Sequence, residues 1–150
     1  MDYSRRELCF LPALLASRAQ VSGTLLLRSK MYPFESLQAH VSGQNEFRSV
    51  FDGETHDGFR VAAHETNLAP GSTPHPPHHH AHEEVFLIRS GEVLVTIDGQ
   101  SSTLGSGSVA FVASNEEHSI RNPGSAPAEY FVLELGVETR NTVGSKSGKA

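Results

Sequence analysis

Residues 74–91 read PHPPHHHAHEEVFLIRSG, and five of the chain's nine histidines stand at its start: His75, His78, His79, His80 and His82. Glu83 and Glu84 follow, and then a short apolar run. Imidazole nitrogens and carboxylate oxygens are the ligands that Mn, Fe, Ni, Cu and Zn take from proteins. On an extended segment, residues two apart point to the same side. His78 and His80 can therefore face one point together. Glu84 has the same parity, and Phe86 and Ile88 continue that face inward as an apolar wall. Glu83 alternates with Glu84 and is expected to face solvent. Gly91 ends the run and permits a turn.

Strands must carry these side chains. From Thr24 to Gly136 no segment has sustained helical periodicity; Gly, Pro, Asn and Asp punctuate short runs of Val, Phe, Ile and Leu. That is the signature of many short strands joined by turns. Strands are predicted near 47–51, 59–69, 83–89, 92–98, 100–104, 108–112, 117–121 and 128–135. Val93, Val95 and Ile97 alternate with Leu94, Thr96 and Asp98, and Asp98-Gly99 supplies a hairpin turn. So many short strands must close into a sandwich, jelly roll or barrel to bury their faces. Residues 20–46 read as an arm or edge strands, with Pro33 against a central position. Residues 47–136 form the predicted barrel, and the polar tail 137–150 is expected to be disordered.

A second constellation lies in GSGSVAFVASNEEHSIRN, residues 105–122. Gly107 opens a strand carrying Val109 and Phe111, the chain turns around Ser114-Asn115, and His118 and Ile120 alternate inward on the return. The two segments together resemble the cupin family. Its first motif runs His-x-His, three or four residues, Glu, six residues, Gly, and is matched by His78, His80, Glu84 and Gly91. Its second, Gly, a loop, His, three residues and Asn, is matched by Gly107, His118 and Asn122. Gly71 lies one residue farther from His78 than is usual; Ala113 replaces the common proline, Asn115 a glycine and Ser108 an aspartate. None of these changes removes a ligand. The resemblance covers roughly residues 59–136. It implies an all-β double-stranded β-helix, or jelly-roll barrel, with one divalent metal ion on His78, His80, Glu84 and His118. It also implies a homodimer, with the segment Tyr32 to Leu37 expected to pack on the partner.

Other polar residues have less defined places. His75, His79 and His82 have no slot in the motif and are expected to be exposed or to hold ligands in orientation. His82 shares the parity of His80 and Glu84 and is the best candidate for support. In FRVAAHETNL, His64 faces inward if Leu68, Thr66 and Ala62 do; the opposite register places Val61 and Ala63 inward. His64 and Glu84 are the acid–base candidates. Asn122 reads as a strand-end hydrogen-bonding residue. Tyr130 and Glu134 alternate with Phe131, Leu133 and Leu135 and are expected to face out or toward a partner.

The 150 residues suffice for one domain, and 37% hydrophobic against 19% charged residues makes it globular. A net charge of −5 without a basic run argues against nucleic acid and membrane-surface partners. The apolar stretch Leu8 to Ala16 is too short to span a bilayer. With Arg5-Arg6 before it and Ser17-Arg18-Ala19 after it, residues 1–19 resemble a twin-arginine export signal. The expected location is periplasmic or secreted; the alternative is a cytosolic amphipathic tail. The single cysteine, Cys9, lies within that segment, so the barrel has no disulfide and no thiolate ligand.

Three histidines and a carboxylate leave a six-coordinate ion two open positions for water, O₂ or a chelating oxygen. This donor set suits Mn, Fe, Co or Ni, and Cu or Zn bind as well. The twin-arginine route carries folded proteins, which favours Mn or Fe loaded before export. Three functions follow: a metal-dependent oxygenase, isomerase, lyase or decarboxylase acting on a compact oxygen-rich molecule; a non-catalytic small-molecule binder; and a structural metal protein. The open positions favour the first two.

Overall fold

The computed structural model describes residues 25–136. The predicted export signal and polar tail lie outside them. Among the described residues the strands are β1 (Ala39–Ser42), β2 (Asn45–Glu54), β3 (Arg60–Leu68), β4 (Glu83–Ser90), β5 (Glu92–Ile97), β6 (Gln100–Gly105), β7 (Val109–Val112), β8 (His118–Arg121) and β9 (Ala128–Leu135). They form a six-stranded sheet in the order β1-β2-β3-β9-β4-β7 and a three-stranded sheet in the order β6-β5-β8. The strand ladders are antiparallel. No helix among the described residues is long and apolar enough to cross a membrane.

The core fills the space between the sheets. Phe86 and Ile88 of β4, Val93 and Val95 of β5, Ile120 of β8, and Tyr130 and Val132 of β9 are buried together. The predicted alternation in β5 holds, and Asp98 and Gly99, both at positive φ, make the β5–β6 turn. Gly91 is required twice over. Its φ is +73°, and a Cβ there would lie 2.8 Å from Ala128 Cα. Asn115, standing where glycine is common, also adopts a left-handed conformation at φ +63°. Asparagine tolerates that region better than other non-glycine residues, so the turn survives the change.

Two expectations, for Tyr130 and Glu134, need correction. Tyr130, expected outside, is 2% exposed within the core. It follows the parity of Ala128 and Val132, while Phe131, Leu133 and Leu135 take the other face. Glu134 has Tyr130's parity and lines the internal cavity. In β7, Val109 and Phe111 face outward, 56% and 57% exposed, because their neighbours Ala110 and Val112 pair with the inward residues Phe86 and Glu84.

Residues 25–42 include an edge strand, β1, preceded by a segment that lies along the barrel. Leu25 and Leu27 bond to Glu54, Phe34–Ser36 form a 3-10 turn, and β1 pairs with β2. The Phe34 ring lies beneath the guanidinium groups of Arg48 and Arg89, and Tyr32 packs on Phe51. The segment Tyr32 to Leu37 thus rests on its own barrel.

Candidate metal centre

The histidine loop is held along the free edge of β8. His78 N–H donates to His118 O at 3.1 Å and His118 N–H to His78 O at 2.9 Å. On either side, Asn122 N–H donates to Ser72 O at 3.0 Å and Asn115 N–H to His80 O at 2.8 Å. The Thr73 hydroxyl donates to Ile120 O at 2.8 Å. Residues 72–80 therefore continue the smaller sheet beyond β8 without regular strand geometry. Prolines at 74, 76 and 77 remove backbone donors and explain the irregularity.

This edge gathers the predicted residues. One ligand atom each from His78, His80 and His118 lies within a 4.8 Å cluster, and a second such cluster joins His80, His82 and Glu84. Glu84 is buried at the start of β4, with one carboxylate oxygen 3.3 Å from His80 Nε2 and the other 3.2 Å from His118 Nε2. His118 is 2% exposed. His82 is buried as well, stacked on His80 with ring centroids 3.6 Å apart, and its Nε2 is 3.6 Å from Glu84. His75 and His79 are exposed; His75 meets the His78 ring edge-on.

The hydrogen bonds decide which nitrogens can ligate. His118 Nδ1 is 2.9 Å from Glu116 O, and His80 Nδ1 is 2.8 Å from His82 O. A carbonyl only accepts, so Nδ1 carries the proton in each ring and a neutral ring keeps its lone pair on Nε2. Those Nε2 atoms are buried, make no hydrogen bond, and face a carboxylate. Lone pairs opposed to carboxylate oxygens need a cation or a proton between them. The donor set fits a divalent ion without rearranging the tautomers. His78 Nδ1 is also buried without a hydrogen bond. Burial, then the nearby His75, His118 and His80, hold its pKa below the ordinary histidine value, which keeps the ring neutral.

A cavity of about 540 Å³ opens beside the cluster. Glu84, His118, Phe86, Ile120, Tyr130 and Val132 form its inner wall, and His64 and Glu134 line it too. His64 thus takes the register that places Leu68, Thr66 and Ala62 inward. Its Nδ1 lies 3.7 Å from Glu134 Oε1. The sequence does not single out Glu134 as a site residue; its parity with Tyr130 points inward only once the register of β9 is fixed. Burial raises the Tyr130 phenol above its ordinary pKa, so it stays protonated. Asn122 is 1% exposed, donates to Leu68 O and Ala126 O, and accepts from Gly124 N–H. It fastens the end of β8 and is turned to backbone rather than toward the cluster.

Two antiparallel sheets enclosing a core, with a histidine–carboxylate cluster at one edge, define a jelly-roll protein with a candidate metal centre. Residues 64–134 match the model of the cupin domain family, so this part of the chain is a cupin domain. Solved structures show the same fold. An RmlC-like cupin from Shewanella frigidimarina superposes with a TM-score of 0.60 and 21% identity, over 73% of this chain and 93% of that one. The polyketide cyclase RemF from Streptomyces resistomycificus gives 0.63 and 16%, over 75% and 82%. A predicted oxalate decarboxylase from Thermotoga maritima gives 0.59 and 22%, over 72% and 100%.

Proposed function

We propose that this chain is a metal-dependent cupin enzyme that holds one divalent ion on His78, His80, Glu84 and His118 and acts on a compact, oxygen-rich small molecule. The observation that carries the reading is the meeting of the buried Nε2 atoms of His80 and His118 at the Glu84 carboxylate, beside the cavity. Mn or Fe is the favoured ion. When bound, it supplies Lewis acidity, a template for chelating oxygens, or O₂ activation. The chain's own part is to orient and enclose. Backbone carbonyls of Glu116 and His82 fix the rings of His118 and His80. Phe86, Ile120 and Val132 exclude water from the inner wall.

The reaction belongs to the oxygenase, isomerase, lyase or decarboxylase classes. Structural neighbours described as a polyketide cyclase and a predicted oxalate decarboxylase support an enzymatic reading. A non-catalytic binder that docks its ligand on the ion is the second reading, supported by the same open cavity. The protein is exported by its twin-arginine segment and works as a homodimer; the exposed outer face of the larger sheet, with Leu87, Val109 and Phe111, supports the dimer.

Elemental analysis of protein purified from its native compartment tests the reading, followed by O₂ uptake and product analysis with diols, diketones and oxalate-like acids. Turnover of any of these supports the enzyme, and tight binding without turnover selects the binder. Lack of a stoichiometric ion would sink both.

A further inference from the structure

We infer that His64 and Glu134 form a proton-accepting pair for an uncharged, hydroxylated ligand of the cavity; this rests on the metal-site reading above. The two side chains sit on neighbouring strands. His64 pairs with Val132 and Ala62 with Glu134 in the β3–β9 ladder, so His64 and Glu134 are diagonal neighbours on the inner face. With Nδ1 turned to Glu134 at 3.7 Å, Nε2 is the nitrogen left for a ligand. Phe47 meets the His64 ring edge-on, at 6.4 Å and 80°, and limits its rotation.

The surroundings suit a base that rests neutral. Burial lowers the His64 pKa, Glu134 and then Glu84 oppose that, and His75 adds slightly to the lowering. At neutral pH the ring therefore has a lone pair to offer. Once a proton arrives, the Glu134 carboxylate stands beside the new charge. Its other oxygen is 4.0 Å from His82 Nε2, and His82 stacks on His80. The pair is thus connected to the histidine cluster rather than isolated from it.

The charge of the cavity selects the ligand. Glu84, Glu134 and Asp52 all line it. The guanidinium of Arg60, also on the lining, is engaged by Asp52 through two bonds of 3.0 and 2.8 Å. With Asp52 held by Arg60 and Glu84 assigned to the proposed ion, Glu134 is the carboxylate beside His64 that would repel an anionic acid, whereas a neutral diol or enol enters without that repulsion. Phe47, Phe86 and Tyr130 offer it an apolar wall. In the step itself a ligand O–H bond breaks and an N–H bond forms at His64 Nε2. The electron pair stays on the ligand oxygen, and no redox partner is needed.

The test uses the full chain loaded with zinc and the probe 4-nitrocatechol, a diol whose ionisation changes its visible absorption. Wild type, His64→Gln and Glu134→Gln are compared across pH, with zinc content measured for each. Zinc content should be the same in all three. Below the probe's own ionisation, wild type should bind at least about tenfold more tightly than either variant, the effect of one pKa unit. Above that pH the proton is already gone, so His64→Gln should lose its deficit and Glu134→Gln, with one carboxylate fewer, should bind the anion at least as tightly as wild type. Oxalate should bind more weakly than the probe. Equal probe affinity at every pH, or a deficit that does not vary with pH, overturns the pair and leaves the metal reading intact. Oxalate binding tighter than the diol overturns the ligand class. A wild type that takes up no zinc overturns the metal reading, and the pair with it.

Discussion

His78 and His118, from opposite ends of the site in sequence, exchange both backbone hydrogen bonds with each other, at 3.1 and 2.9 Å. Their rings lie 4.5 Å apart, centroid to centroid. The backbone bridge fixes the two side chains before any ion is considered. A site built this way is pre-organised, because the ligand loop is already ordered along β8 when metal arrives. Adjacent histidines should then behave very differently.

His80→Ala removes a buried nitrogen from the cluster, whereas His79→Ala removes an exposed ring. Metal content measured by elemental analysis should fall sharply in the first and stay near wild type in the second. With free metal at one hundred times the dissociation constant, the first variant should also forfeit about 2.7 kcal/mol of metal-linked stability. His82→Ala should weaken affinity by roughly tenfold, through loss of the ring stacked on His80. Equal occupancy in His79→Ala and His80→Ala would remove the ligand assignment.

The metal-free protein should lose stability as pH falls. The folded state holds His64 at a pKa below the ordinary value of 6.5, mainly through burial. Folding therefore favours the neutral ring, and the unfolded chain binds more protons. Its contribution is full above about pH 6.5 and is lost as pH drops through the lower folded value. Denaturation midpoints from pH 8 to 5 should show this slope, and His64→Gln should flatten it. An unchanged slope in the variant would assign the effect to other groups.

Asn122→Ala should destabilise the apo barrel by roughly 1–3 kcal/mol, since the buried Leu68 carbonyl and the half-buried groups of Ala126 and Gly124 lose their partner. Urea unfolding measures it. A cost below about 0.5 kcal/mol, the usual range of surface changes, would show that water replaces the amide.

Replacing Arg5 and Arg6 together by lysine should retain the protein in the cytosol. Fractionation reads the outcome, and full periplasmic recovery of the double variant would remove the export proposal.

Light scattering at micromolar concentration should give the mass of a dimer. Phe111→Glu, which charges the exposed outer face, should shift the protein to monomer with its metal content intact. A wild-type monomer would end the dimer proposal.

The sequence by itself determined the features that depend on near neighbours. Alternation in Val93, Val95 and Ile97 and the Asp98-Gly99 turn specified the β5–β6 hairpin. The two-residue spacing of His78 and His80, with Glu84 in phase, specified that these side chains can share a face. Such features follow from strand pleat and turn chemistry, which act over a few residues. Tertiary structure decided which of two faces is the inside. For Tyr130, Glu134 and His64 the alternation allows either answer. The choice is made by the ladders that pair Glu134 with Glu84 and with Ala62, contacts between segments far apart in the chain. The β4–β7 ladder likewise turned Phe111, the largest residue of β7, outward together with Val109. The backbone bridge between His78 and His118, with the Asn115–His80 hydrogen bond and the β4–β7 ladder, brought the two motifs to one point. A one-residue slip in any of these registers would exchange every inward side chain for an outward one, and nothing local in the sequence measures that cost.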